Sequence, residues 1–246
     1  MRRLIITADD FGAAPEVNDA VERAHRHGAL TAASLMVSAP AAADAVKRAK
    51  EMPKLRVGLH IVLVDGRPAL PAAQIPDLVD GDGFFRTNMA LAGASMFFRP
   101  KVRRQLTEEI EAQFKAFGAT GLKLDHVNTH KHFQLHPTIA STMIRVGQRY
   151  GMTAARTLAF QGGFRRKGLL VPDRVFGLKW SGQMTRERVQ GIVDALPDGL
   201  SEIYMHPATG PYPGSAAGYR YGDELAALQT VVIPSDIRCG GFADFA

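Results

Sequence analysis

The stretch LIITADDFG, residues 4–12, decides how this chain is read. Leu4 to Ala8 form a short apolar run rich in β-branched residues, as expected of a strand buried on both faces. The run leads straight into two adjacent carboxylates, Asp9 and Asp10. Carboxylates side by side at a buried strand end repel each other and are poorly solvated, and both effects raise a carboxyl pKa. A bound divalent cation reverses that logic by stabilising the charged forms. Adjacent aspartates also occur simply as turn or helix-capping residues, so the pair has to be weighed with the rest of the chain.

Working outward, PEVNDAVERAHRHG (residues 15–28) reads as a helix. Pro15 suits its first turn, Val17, Ala20, Val21 and Ala24 share one face, and Gly28 suits the stop. A second strand is expected at 32–37, a helix at 40–52, and a third strand at 55–63 that carries His60. Residues 65–88 are rich in Gly, Pro and Asp and read as a long loop, of the kind that serves as a lid or binding loop. A helix at 100–117 is amphipathic through Leu106, Ile110, Phe114 and Phe117. A fourth strand is expected at 122–127, helices at 137–151 and 185–196, a strand at 201–206, and a last helix from Asp223. This alternation argues for an α/β fold with a parallel sheet and outer helices, either a barrel or an open doubly wound sheet. One domain over 1–246 is expected, with no dinucleotide fingerprint, P-loop, repeat or low-complexity linker.

Composition narrows the function classes. The chain has 246 residues, 46% hydrophobic and 22% charged, ample for a core. No run of about 18 apolar residues is present, so no transmembrane helix is expected. The start, MRRLIITADD, is too short in apolar residues for a secretory signal. A single cysteine, Cys239, makes no internal disulfide, which fits a reducing cytosol. The net charge of +6 is spread out. Its densest clusters, at 99–104 and 165–167, lack an interleaved aromatic platform, so nucleic acid is not an expected partner.

Chemistry gathers at the strand ends. His60 lies in GLH, and DHVNTHKHFQLHP (residues 125–137) holds Asp125, His126, His130, His132 and His136. His206 lies in MHP. In parallel α/β folds sites form at the carboxyl ends of strands, so these residues should converge on one rim. A pair of aspartates met by imidazoles from other strands suggests a metal site, one Asp ligating and the other acting as base. Read as an extended segment, His130 and His132 would put two imidazoles on one face. His25 and His27 fall on the first helix and read as surface residues.

Taken together, ADDFG followed by VND, GLH, the histidine segment ending in Pro137, MHP and the late YRYGDELAAL (residues 219–228) resemble the YdjC-like carbohydrate deacetylases. LDHVNTHKHFQLHP and YRYGDELAAL are most similar to their hopanoid-biosynthesis branch, the HpnK-like proteins. The resemblance covers nearly the whole chain. It implies a distorted (β/α) TIM-like barrel related to the polysaccharide deacetylase fold. It implies Asp9 as catalytic base, Asp10, His60 and His130 as metal ligands, and His206 or His132 as general acid. Against the family's D-x-H-x-H-x-H segment, Asn128 stands where the Asp is expected and Gln134 where the last His is expected. Asp125 and His126 would then supply the missing carboxylate or imidazole near the substrate, with Phe11 as a further contact. Zinc is the expected metal, with magnesium, iron or manganese as other divalent choices. The implied reaction is hydrolysis of the N-acetyl group of N-acetylglucosaminyl bacteriohopanetetrol. The alternative is a chito-oligosaccharide or another soluble N-acetyl amino sugar. The apolar-then-basic segment MALAGASMFFRPKVRR (residues 89–104) would bring Phe97 and Phe98 to the lipid. A cytoplasmic enzyme follows, with peripheral contact at the inner membrane and a homodimer both left open.

Overall fold

The apolar run behind the N-terminus forms β1 (Arg2–Phe11), buried from Leu4 to Phe11. The computed structural model describes all 246 residues and builds a parallel sheet around this strand. On one side β1 pairs with β2 (Ala32–Leu35), then β3 (Arg56–Ile61) and β4 (Val127–Thr129). On the other it pairs with β6 (Gly199–Met205), which pairs with β5 (Arg174–Phe176). A short β7 (Arg238–Cys239) fills the edge of β1 at Arg3 and Leu4, before β2 begins its pairing at Thr7. Isolated parallel bridges, Val127 with Ala155 and Ala154 with Leu170, carry the curl onward from β4. The result is a distorted, incompletely hydrogen-bonded (β/α) barrel.

Crossover helices α1 (Pro15–His27) and α2 (Ala42–Lys50) return the chain between the first three strands. Beyond β3 come α3 (Met89–Phe98) and α4 (Pro100–Ala119), then α5 (Pro137–Arg149) after β4. The last helices are α6 (Gln161–Arg166), α7 (Arg186–Asp194) and α8 (Tyr221–Thr230). Parallel crossovers place helices outside the sheet, so every strand carboxyl end opens on one side.

The elements β5, α6 and β7 had no counterpart in the sequence analysis, and two further segments differ from expectation. The 122–127 strand begins only at Val127, although Asp125 N still donates to Val57 O (3.0 Å) and Leu59 N to His126 O (2.9 Å). The segment 89–98 is a helix, opened by Asn88, whose side chain accepts from Leu91 N at 3.1 Å.

The long loop is fastened to α4. Gln105, Glu109 and Gln113, spaced four apart and so on one helix face, form a buried polar stripe beside the apolar stripe of that helix. Gln105 accepts from Asp77 N (3.0 Å), and Glu109 from Ala69 N (2.8 Å) and Leu70 N (3.0 Å). Gln113 bonds both the N–H and the C=O of Val62, at 2.9 and 2.7 Å. Burial pushes the Glu109 carboxyl upward against these donors. Glu109→Ala should strip two amides of their acceptor and cost about 1–3 kcal/mol. Calorimetry should register the loss, and hydrogen exchange should quicken selectively at residues 69 and 70.

Candidate metal and catalytic site

Successive residues of a strand point to opposite faces, so Asp9 and Asp10 should diverge. They do not, because Asp10 adopts φ 63° and the register with β2 shifts between Ala8 and Phe11. This left-handed turn, which Asp tolerates better than most residues, brings both carboxylates to the cleft. Gly12 at φ 95° completes the turn, and its N–H donates to Asn18 Oδ1 at 2.9 Å.

Asp10 meets two imidazoles. His60 Nε2, from β3, lies 3.2 Å from Asp10 Oδ1, and His130 Nδ1, just past β4, lies 3.1 Å from the same oxygen. The ligand atoms of Asp10, His60 and His130 all fall within 4.8 Å of one another. His60 Nε2 is buried with no hydrogen-bond partner. Burial works against charge on Asp10, yet the His130 imidazole holds its carboxyl well below the usual range. Burial likewise opposes protonation of His130, and Asp10 outweighs it, raising that pKa. The same field that favours a proton there favours a cation. The donor set, two imidazoles and one carboxylate around an orphaned buried nitrogen, fits a divalent metal.

Asp9 is held differently. Burial would raise its pKa, but Arg156 holds its carboxyl far below the usual range. Arg156 Nη1 reaches Asp9 Oδ2 at 2.5 Å. Its Nε and Nη2 grip Glu202 Oε1 at 2.9 and 2.7 Å, and its guanidinium lies over the Tyr204 ring, 4.4 Å from the centroid. Counted formally with neutral imidazoles, the three buried carboxylates Asp9, Asp10 and Glu202 outnumber the one guanidinium, which contacts only Asp9 and Glu202. One divalent cation would balance the remainder.

Beyond β4, two consecutive left-handed residues, Lys131 (φ 52°) and His132 (φ 53°), turn the chain sharply. His130 and His132 therefore do not share a face, as an extended reading implies. His130 turns to Asp10, while His132 Nε2 lies 2.7 Å from the Tyr204 hydroxyl. Burial, and next the nearby Arg156, push the His132 pKa down to about 4. His206 lines the same cleft, its ring edge-on to Tyr204 and Tyr219, at 5.8 and 5.5 Å between centroids. Its backbone N–H donates to the buried Glu224 at 2.5 Å, which ties the strand end to α8. Tyr212, Tyr219 and Tyr221 complete an aromatic wall, and burial keeps the Tyr204 and Tyr212 phenols protonated. The cleft, about 540 Å³, suits a sugar-sized ligand.

Other expected contacts lie elsewhere. Phe11 is fully buried in the core. Asp125 and His126 are buried below the cleft: Asp125 accepts from Phe242 N (3.1 Å) and Ala243 N (2.9 Å), and His126 stacks on Phe242 at 4.4 Å. They supply neither a cleft carboxylate nor a cleft imidazole. Gln134 is a buried brace, bonded to Thr129 and, at 3.4 Å, to Arg156 O. Phe97 and Phe98 lie on the outer rim, on α3, where Phe97 sits 6.1 Å from the His136 ring. The sequence reading gave Arg156, Glu202 and Tyr204 no role. The available signal was a charged residue inside an apolar extended run, TAARTL for Arg156 and SEIYM for Glu202.

Residues 3–237 match the family profile described as YdjC-like protein. The chain is 33% identical over 234 residues to the carbohydrate deacetylase of Geobacillus stearothermophilus, covering 92% of this chain and 89% of that protein. It is 34% identical over 209 residues to the carbohydrate deacetylase of Brevibacillus brevis, covering 84% and 81%. Among solved structures, an Enterococcus faecalis protein described as a putative cellobiose-phosphate cleavage protein superposes with a TM-score of 0.81 at 22% identity, covering 100% of this chain and 99% of that one. The lactam utilization protein of Thermus thermophilus gives 0.59 at 16% identity, covering 98% and 100%. At such identities these two establish the fold alone.

Two outcomes follow. Elemental analysis should find one divalent ion per chain, lost in His60→Ala and in Asp10→Ala. At the far end of the barrel, burial works to raise the Asp125 pKa, but His126 and two amides carry it below its ordinary value of 3.8. Its stabilising contribution is therefore full above that value and lost as the pH falls through the lowered one. Acid unfolding of Asp125→Asn should show a shallower pH dependence in that window.

Proposed function

The chain belongs to the YdjC-like family, and on that footing we propose that it is a metal-dependent carbohydrate deacetylase that hydrolyses the N-acetyl group of an amino sugar. The observation that carries this reading is the pairing of Asp9, kept ionised by Arg156, with the Asp10, His60 and His130 triad alongside it. When bound, the divalent cation supplies a water of lowered pKa and an electrophilic contact for the amide oxygen. Asp10, His60 and His130 would hold it, and zinc would suit their donor set best.

The rest falls to the chain's own side chains. Asp9 takes a proton from the attacking water through a carboxylate oxygen. Arg156 keeps that carboxylate oriented and charged until the proton arrives. The leaving nitrogen must gain a proton as its bond to the acetyl carbon breaks. We assign that transfer to His206, which lines the same cleft as Asp9 and Asp10. A His132 pKa of about 4 leaves its ring neutral near pH 7, so it acts as a hydrogen-bond partner of Tyr204 rather than as the acid. The products are acetate and a free amino sugar.

For the substrate, we favour an N-acetylglucosaminyl lipid of the hopanoid type, N-acetylglucosaminyl bacteriohopanetetrol. What supports it is α3, beside the histidine loop, which exposes Phe98 at 75%, Leu91 at 70% and Phe97 at 48%. Such rings can rest at an acyl boundary at the inner-membrane surface. Arg99 and Lys101 are engaged by Asp77 and Arg104 by Glu108, leaving Arg103 as the neighbouring cation outside an ion pair. No helix is long and apolar enough to cross a membrane. A soluble chito-oligosaccharide is the second reading, supported by the carbohydrate deacetylases named above.

Metal-loaded protein should release one acetate from N-acetylglucosaminyl bacteriohopanetetrol, and Asp9→Asn should lower the rate about 10²–10⁴-fold. Release from N,N′-diacetylchitobiose alone would favour the second reading, and release from neither would overturn both. The double variant Phe97→Glu, Phe98→Glu should lose binding to anionic liposomes while keeping turnover of a soluble N-acetyl sugar.

A further inference from the structure

Asn128 sits where three strands meet the cleft, fully buried, with each of its polar atoms engaged. Its Oδ1 lies 2.7 Å from His60 Nδ1. Its Nδ2 lies 3.1 Å from Asp9 Oδ1 and 3.0 Å from Ser34 Oγ. We propose that Asn128 is a positioning residue that locks the metal ligand His60 and the base Asp9 into one hydrogen-bonded unit. The inference rests on the metal-dependent hydrolase reading.

The direction of every bond is forced. A carboxylate can only accept, so Asn128 must turn its NH₂ toward Asp9 and its carbonyl oxygen toward His60. His60 Nδ1 must then donate, so Nε2 is the nitrogen free to meet a metal. That nitrogen is the one facing Asp10 at 3.2 Å with no hydrogen-bond partner.

The far end of the network gives the same answer independently. Asp125 accepts from two backbone amides, so His126 Nδ1 donates to it, at 2.9 Å. In the neutral ring its Nε2 is an acceptor, to which Ser34 Oγ, 3.0 Å away, donates. Ser34 oxygen in turn accepts from Asn128 Nδ2. Gly58 makes room for this column, since a Cβ there would lie 2.5 Å from the His126 ring. A buried strut thus runs from the C-terminal segment at Phe242 to the two groups that do the chemistry.

Asparagine and aspartate are not equivalent here. Either can accept from His60 Nδ1, as carboxylates and carbonyls do behind metal-bound histidines. Only asparagine can also donate to Asp9. A carboxylate at 128 would face the Asp9 oxygen with no proton between them. Asparagine at 128 therefore adds a contact to the base that an ionised aspartate could not make.

The test separates the two halves. In metal-free protein at neutral pH, long-range ¹H–¹⁵N NMR should show a proton on His60 Nδ1, and an Nδ1 without a proton overturns the proposal. Asn128→Leu, which removes both ends, should weaken metal binding about 10–100-fold in a chelator competition. Unchanged affinity there overturns the acceptor role. Asn128→Asp keeps the acceptor and should retain metal affinity, but its kcat should fall at least about tenfold with KM little changed. An undiminished kcat overturns the donor role. The NMR measurement on the unmodified chain decides the Nδ1 proton even where a variant folds poorly. Wild-type protein that binds no metal and releases no acetate would instead defeat the functional reading itself.

Discussion

The buried guanidinium of Arg156 is the interaction on which the site depends. It is completely excluded from water, bridges Asp9 at the end of β1 to Glu202 within β6, and lies over the Tyr204 ring. A guanidinium suits this place because its planar fork can grip two carboxylates at once without losing its charge. Removing a charge from water is costly, and an ion pair offsets that cost only when its geometry is satisfied throughout. Here the satisfaction is lopsided. Asp9 and Glu202 share this one cation, Asp10 faces two imidazoles instead, and Glu202 Oε2 and His60 Nε2 have no hydrogen-bond partners. A further positive charge would suit this network, and the donor atoms of Asp10, His60 and His130 are the group that could hold it.

The second constraint is conformational. A regular strand cannot aim two neighbouring carboxylates into one cleft, and an extended H-x-H segment sends both rings the same way. The chain breaks both regularities with left-handed residues at Asp10, Lys131 and His132. Non-glycine residues in that region carry a cost of order 1–3 kcal/mol each. That cost is met by the contacts these turns create: Asp10 with two imidazoles, His132 with Tyr204, and Lys131 with Asp65 across the mouth of the cleft. Strain collected at the carboxyl ends of strands is what separates a site from a mere strand terminus.

Around this rigid floor the rim has a different character. The 65–88 loop is held by the polar stripe of α4 at Asp77, Ala69 and Leu70, so its path over the barrel is fixed by directional bonds as well as by apolar contact. The neighbouring α3 leaves its phenylalanines toward solvent. On the opposite wall, tyrosines bring broad faces and protonated hydroxyls to the cleft, a combination suited to sugar rings and their hydroxyl groups. The floor carries reactive groups and the rim carries recognition, as expected when loops decorate the carboxyl end of a parallel sheet.

Much of this was written locally in the chain. The alternation of apolar runs and amphipathic segments determined the α/β class, and the carboxylates and histidines at strand ends pointed to one rim. Asp9, Asp10, His60, His130 and His206 could be singled out because polar residues ending buried strands stand out against an apolar background. Asp125 and His126 have the same local signature, yet they serve the opposite end of the barrel, since sequence does not say toward which partner a buried polar side chain turns. Arg156, Glu202 and Asn128 were harder still. Their roles exist only as distances between strands more than 40 residues apart, and pairing at that range is set by the curl of the sheet. The sequence by itself determined which groups were available and the kind of fold that would gather them. Only the tertiary structure decided which of them met, because burial, backbone handedness and charge balance act through space rather than along the chain.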